Sequence, residues 1–444
     1  MSRRRKAMPT TPVTCEIESL SHEGRGVAHL DGKTLFVDGA MPGETVTARY
    51  VNSKRKYDEL AVDSVSNEHP QRVTPPCPHA HVCGGCSMQH ASLDFQIAHK
   101  QQVLLDHLQH FGALKPEEVV APIASQSVGY RSKARLGVRF VIKRDEVLVG
   151  FRERFSNFLT AIDSCPVLIE QVGQRIPELK ALVRSLSCYQ RIPQIEVAAG
   201  DNVVALIIRH MDPLTEEDRD KLISFATDTG LALYLQPKGP DTVHKLWPAD
   251  GQELLEYSLP AHQLKFDFHP TDFTQVNREI NAKMLDQALD WLAPEKSDRI
   301  LDLFCGLGNF TLPMARISGH VVGVEGSQAM VERGYHNAGK NQIENVEFHA
   351  ADLHLPMAGG NEHPWYGEYD KILLDPPRSG AEEIVKSIGR FNAARIVYVS
   401  CNPATLARDA GILAQQGYKL LKAGVMDMFP HTTHVESMAL FERG

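Results

Sequence analysis

No stretch of this 444-residue sequence is apolar for long enough to span a membrane, so no membrane-embedded helix is expected. The N-terminus, MSRRRKAMPTTP, is basic but has no apolar core of the kind a secretory signal needs, and a cytoplasmic protein is expected. In that reducing compartment the eight cysteines read as ligands, nucleophiles or core thiols and not as disulfides. Internal repeats and low-complexity segments are lacking, which leaves ordinary globular domains. An excess of positive charge is lacking too. The formal net charge is −8, which argues against bulk adhesion to nucleic acid.

A chain of this length holds two or three domains, and 43% hydrophobic with 23% charged residues is an ordinary globular composition. Positive charge is concentrated locally. Between Tyr130 and Phe155 stand Arg131, Lys133, Arg135, Arg139, Lys143, Arg144, Arg152 and Arg154 against three acidic residues, a window of +5 that leaves −13 to the rest. A basic surface on an acidic protein suits a selective anionic partner, although a solvated charged sheet face explains the same count.

Residues 1–11 are expected to form a basic disordered tail. Residues 12–69 read as short strands punctuated by glycines, the pattern of a small five-stranded, OB-like β-barrel of a kind that binds oligonucleotides. The proline-rich EHPQRVTPPCPH opens a central α+β region, 70–265, in which a helix over 92–113 is expected to pack on the catalytic domain. From residue 266 onward, a helix over 271–292 introduces regular alternation of strands (RILDLFC, HVVGVEG, VEFHAAD, YDKILLDPP, RIVYVSC) with helices. Alternating βα units predict an α/β domain with a doubly wound parallel sheet and ligands at the carboxyl ends of its strands.

In ILDLFCGLGNFTLPMA, Gly306 and Gly308 allow a tight turn between strand and helix. The third glycine of a dinucleotide fingerprint is missing near Phe310 and Thr311. Asp302 precedes the glycines, Glu325 ends the next strand, Asp352 the third and Asp375 the fourth. Glu325 suits a ribose diol and Asp352 an adenine amino group. Four strand-end acids without a pyrophosphate loop point to a nucleoside ligand that lacks phosphates, and S-adenosylmethionine is such a ligand. Helix capping explains any one of these acids but explains the set poorly.

The motifs DLFCGLGNF, LLDPPRSG, VSCNP and FTQVN together resemble the RNA uridine carbon-5 methyltransferases over essentially the whole chain. The resemblance implies a Rossmann-like class I S-adenosylmethionine-dependent methyltransferase domain, an N-terminal TRAM barrel and a central iron–sulfur domain. It implies that Gln275, Phe304, Asn309, Glu325, Asp352 and Asp375 contact the cofactor or line its pocket. Barrel and cysteine cluster together narrow the implied partner to 23S ribosomal RNA, methylated at one uridine by a monomeric enzyme. Another rRNA uridine, or a tRNA, is the alternative within the same chemistry. The non-enzymatic alternative is an iron–sulfur RNA-binding protein with a vestigial methyltransferase domain.

Cys77, Cys83 and Cys86 are spaced C-x5-C-x2-C, with Gly84 and Gly85 letting the loop fold back on a metal, and Cys165 in DSCPVL is a candidate fourth ligand. Spacing alone leaves zinc and an iron–sulfur cluster open, with His79, His81 or His90 able to replace a thiolate. The family resemblance implies a [4Fe–4S] cluster on Cys77, Cys83, Cys86 and Cys165.

Carbon 5 of uracil is a poor nucleophile until a thiolate adds to carbon 6, and a base must later remove the carbon-5 proton. Cys401 ends a strand on the ligand side of the sheet, and Asn402-Pro403 turns the chain away there. By the resemblance the base is Glu436. His434 is the chemical alternative, because its ordinary pKa suits proton transfer near neutrality.

Overall fold

Along Thr45–Ser53 and Tyr57–Val65 apolar and polar residues alternate, and one face of each strand turns inward onto Ile17, Ala28, Leu35, Val37, Val46 and Leu60. In the computed structural model these strands belong to a six-stranded sheet with Val13–Glu16, Ser19–Leu20, Gly26–Leu30 and Lys33–Asp38. The expected barrel had five strands. VTCEIESL makes two, because the Ile17 amide leaves the ladder to donate to Glu44 O (2.9 Å) and Glu18 N–H donates to Val27 O (2.8 Å). Gly43, at φ +80°, turns the chain ahead of Glu44, whose buried carboxylate accepts from Met41 N–H and His69 N–H and from Arg72 Nε and Nη2.

The structure describes residues 8–356 and 363–444, so most of the expected N-terminal tail lies outside the described residues. The chain divides into two units. The first takes the chain up to Lys100, with Gly150–Ile162 and Phe429–Thr433; the second takes Gln101–Val149, Asp163–Met428 and His434–Gly444. Among the described residues no helix is long and apolar enough to cross a membrane.

The second unit contains a mixed six-stranded sheet, a hairpin formed by Leu255–Leu259 and Leu264–Phe268, and a larger sheet. The expected helix over 92–113 spans Leu93–Phe111, and the expected helix over 271–292 is shorter, Arg278–Leu292 (α1). Asn277 caps α1, its Oδ1 accepting from Ile280 N–H, so 271–277 is loop and Gln275 is released from the helix.

In the larger sheet the strands are β1 (Arg299–Leu303), β2 (His320–Glu325), β3 (Val346–Ala350), β4 (Lys371–Leu374), β5 (Arg395–Ser400), β6 (Tyr418–Met426) and β7 (Glu436–Arg443). Between them lie the helices α2 (Thr311–Ile317), α3 (Gln328–Lys340), α4 (Glu382–Lys386) and α5 (Pro403–Gln415). The order is β3-β2-β1-β4-β5-β7-β6, with Glu118–Val119 added at the β6 edge. That edge strand comes from the region expected to form the central domain. The first five strands run parallel, as the alternation predicts, but β7 runs antiparallel between β5 and β6. β6 and β7 are joined without a crossover helix, so β7 must return antiparallel.

Candidate active site

Ile300, Leu301 and Leu303 of β1 are fully buried, as befits a strand covered on both faces. The chain then turns through three left-handed residues, Phe304 (φ +64°), Gly306 (φ +55°) and Gly308 (φ +97°). At Gly308 the positive φ strains any side chain, and a Cβ there would also press on Leu312 and Phe348 at 3.3 Å. Phe304 N–H and Cys305 N–H both donate to Val324 O, and Gly306 N–H donates to Glu325 Oε2 at 3.1 Å. Glu325 Oε1 accepts from Ser327 N–H at 3.1 Å, so this last residue of β2 is joined to both turns.

Asn309 is held from the side. Tyr257 OH and Asn281 Nδ2 donate to its Oδ1 at 3.0 and 3.2 Å, and its own Nδ2 donates to Asn281 Oδ1 at 2.9 Å. Half-buried Gln275 lines a small cavity with Ser132, Tyr257, Phe268 and Asn281. Tyr257 and Asn281 escaped sequence reasoning because nothing in their local patterns marks them. They reach the glycine loop only through the fold.

The four acids are not equivalent. Asp302 lies inside β1 and is fully buried, and burial pushes its carboxyl up to about 8. Thr311 Oγ1 donates to it at 2.5 Å and opposes that rise, while Asp375 and Glu325 add to it. Asp375 directly follows β4; the residue is partly exposed, but desolvation of its carboxyl pushes it up to about 7. Asp352 lies two residues beyond β3, is exposed, and accepts from His354 N–H at 3.0 Å. The His354 ring stands 5.9 Å from that of Phe304.

Cys401 follows β5 and precedes Asn402, whose Oδ1 caps α5 by accepting from Ala404 N–H at 3.1 Å, with Pro403 in the first turn. In the antiparallel ladder Ser400 faces Ser437, so Cys401 comes beside Glu436. Burial pushes the thiol up to about 11, Glu436 and Asp375 push in the same direction, and Arg378 opposes them. The thiol is therefore within the fields of Glu436, Asp375 and Arg378. Arg378 Nη2 donates to Nδ1 of exposed His434 at 3.1 Å, so that nitrogen is an acceptor and not the place for a substrate proton. A protonated thiol flanked by two carboxylates and a guanidinium can act as a nucleophile with its own acid–base partners.

Cys77, Cys83 and Cys86 belong to the first unit and Cys165 to the second. Gly85 N–H donates to Cys83 Sγ at 3.4 Å, and Arg154 donates to the carbonyls of Cys83 and Cys86 and pairs with Asp38. Among the described residues no three His, Cys, Asp or Glu side chains are grouped to hold a metal ion, so the expected cluster is not shown. Cys15, Cys188 and Cys305 are buried thiols, as core residues would be.

The sequence profile of the tRNA (uracil-5-)-methyltransferases matches residues 92–444. The chain belongs to the tRNA (uracil-5-)-methyltransferase family. A TRAM domain profile matches residues 7–57, ending where the last strand of the N-terminal sheet begins. A family relative from Hahella chejuensis, named 23S rRNA (uracil(1939)-C(5))-methyltransferase RlmD, is 74% identical, with both chains covered in full. The protein of the same name from Alcanivorax borkumensis is 55% identical over 100% of this chain and 99% of its own. Pyrococcus abyssi tRNA (uracil-54, C5)-methyltransferase, solved in complex with S-adenosyl-L-homocysteine, shares the fold with a TM-score of 0.73. It is 23% identical and is covered in full by 97% of this chain. As a member of this family the protein is an S-adenosylmethionine-dependent methyltransferase.

Proposed function

We propose that the protein methylates carbon 5 of uridine 1939 in 23S ribosomal RNA, the reaction named for the relatives that match its full length. Ribosomal RNA as substrate makes the cytoplasm its compartment, and a monomer suffices for the chemistry. The observation that supports the mechanism is that Glu436 and Asp375 both act on the Cys401 thiol at the carboxyl ends of β4 and β5.

S-adenosylmethionine supplies an electrophilic methyl group. Gln275, Phe304, Asn309, Glu325, Asp352 and Asp375 would hold it, with Glu325 fixed beside the glycine loop by the Gly306 amide. The target uridine turns out of its stack toward Cys401. The Cys401 thiol gives its proton to a neighbouring carboxylate, and its sulfur forms a bond to carbon 6, which makes carbon 5 nucleophilic. Once carbon 5 carries the methyl group, with S-adenosylhomocysteine as the leaving product, Glu436 removes the carbon-5 proton, and the carbon 6–sulfur bond breaks to restore the uracil double bond and the thiolate. Support for Glu436 over His434 lies in its register beside Cys401 and in the bond His434 Nδ1 accepts from Arg378.

A [4Fe–4S] cluster on Cys77, Cys83, Cys86 and Cys165 is the second part of the proposal. It rests on the C-x5-C-x2-C spacing and the family likeness, and no step of methyl transfer needs it. Iron and acid-labile sulfide should both be present in anaerobically purified protein and fall in the Cys165→Ala variant; iron-free wild-type protein overturns this part.

The test of function is in vitro methylation of 23S rRNA and of bulk tRNA, with modified nucleotides mapped by nuclease digestion and mass spectrometry. Methyl transfer to uridine 1939, abolished by Cys401→Ala, is expected. Methylation of tRNA alone, or turnover by Cys401→Ala, overturns the proposal.

A further inference from the structure

Two segments that carry the proposed chemistry meet at one carboxylate that has no part in it. Asp409, in the second turn of α5, is fully buried. Its Oδ2 accepts from Ala381 N–H at 2.7 Å and from Tyr398 OH at 2.6 Å. Its Oδ1 pairs with the guanidinium of Arg408 at 2.8 Å, and Arg408 Nη2 also donates to Ser379 O at 2.9 Å. Nearer the start of α5, Asn402 Nδ2 and Thr405 Oγ1 donate to Arg378 O at 3.0 and 3.4 Å. The loop from Asp375 to Ala381 is thus clamped to α5 at the carbonyls of Arg378 and Ser379 and at the amide of Ala381.

Gly380 makes the clamp close. It stands at φ +79°, and a Cβ there would lie 2.6 Å from Arg408 Nη2 and 2.7 Å from Asp409 Oδ2. Tyr398 lies three residues before Cys401 on β5, and α5 begins two residues after it. A single buried carboxylate therefore joins the strand before the nucleophile, the helix after it, and the loop that bears Asp375 and Arg378. Those two loop residues supply charges that the Cys401 thiol feels.

We infer that Asp409 is a positioning residue of the methyltransferase, setting the distance from the Asp375–Arg378 loop to Cys401 and hence the readiness of the thiol to attack. This rests on the reading of Cys401 as the nucleophile. A buried carboxylate bound only to scaffold would stabilise the fold without tuning the thiol. Here its partners lie on the segments that carry the reacting group and its charged neighbours, and small displacements of such groups cost large factors in rate.

The test compares wild-type protein with Asp409→Asn, which places an amide against donors, and with Tyr398→Phe, which removes one bond and keeps the carboxylate. Two readouts are taken on folded protein: kcat and KM for methylation of a 23S rRNA transcript, and the pH profile of Cys401 alkylation by iodoacetamide, followed by peptide mass spectrometry. Asp409→Asn should lower kcat by about tenfold or more while leaving KM within about twofold, and should shift the alkylation profile along the pH axis. Tyr398→Phe should move both readouts in the same sense by less, and it serves alone if Asp409→Asn does not fold. An unchanged alkylation profile with kcat lowered only in proportion to folded protein overturns the inference. If wild-type protein does not methylate this RNA, the substrate reading fails, while a shifted alkylation profile still supports the positioning role.

Discussion

Ser400 faces Ser437 across the antiparallel ladder of β5 and β7, one step from Cys401 on one strand and Glu436 on the other. The proposed nucleophile and a carboxylate 35 residues further along the chain are thereby brought to the same end of these two strands. Three expectations concern the unit that holds this geometry, and a fourth concerns the first unit.

Burial holds the Cys401 thiol up near 11, and Glu436 is the first of the charges that add to it. Glu436→Gln should therefore make alkylation of Cys401 at pH 8 several-fold faster, since a pKa drop of one unit gives about tenfold more thiolate. Methylation should fall by about 100-fold or more, with a covalent enzyme–RNA adduct accumulating. Peptide mass spectrometry and denaturing gels check both; slower alkylation with normal turnover would count against the arrangement.

Tyr257 steadies Asn309 from the hairpin that precedes α1. Tyr257→Phe keeps the ring stacked near Phe266 but leaves Asn309 with its Asn281 bonds alone. Cofactor affinity should weaken about fivefold, the size of one net hydrogen bond, as titration calorimetry with S-adenosylhomocysteine would read it. Alkylation of Cys401 should not change.

Asp302 carries a carboxyl raised by burial to about 8. A raised acid binds its proton more tightly in the folded chain, so its contribution to stability is intact below the unfolded carboxyl pKa of about 4. It is lost as pH rises toward about 8. Asp302→Asn, neutral throughout, should melt higher than wild type at pH 8.5 and show little gain at pH 4. Thermal scans of cofactor-free protein at the two values decide this.

Glu44 shows the opposite sign in the first unit. Burial acts to raise its carboxyl, but the bonds from Arg72 and from the amides of His69 and Met41 outweigh burial and hold it low. Its contribution is present above the unfolded carboxyl pKa and is lost as pH falls through the lowered folded value. Glu44→Gln leaves Arg72 without its buried partner and should cost about 3 kcal/mol at pH 7. Denaturant melts of the full chain measure it, and the difference from wild type should shrink in acid.

Much of this was legible locally. The alternation of apolar strands and amphipathic helices from residue 271 onward announced the α/β sheet, and Gly306 and Gly308 marked the turn that the backbone makes with positive φ. Other features were not local. Asp352 reads as one more strand-end acid but lies beyond β3 and is exposed, whereas Asp302, nearest the glycines, is buried within its strand. Boundaries moved where a single side chain intervened: capped by Asn277, α1 starts at Arg278, seven residues later than the helical pattern begins. Ligand spacing in Cys77, Cys83 and Cys86 was plain to read, but spacing left the choice between zinc and an iron–sulfur cluster open.

The sequence by itself determined which chemical groups are available: a cysteine at a strand end, acids behind a glycine turn, and a cofactor loop without the third glycine. These follow from short-range periodicity and turn chemistry, which act over a few residues. Only the tertiary structure decided which carboxylate stands beside Cys401, which residues hold Asn309, and that Asp409 ties three segments together. Those relations depend on β7 returning antiparallel beside β5 and on loops meeting across tens of residues of chain. Burial then sets the protonation of each group, because desolvation acts through space and not along the sequence.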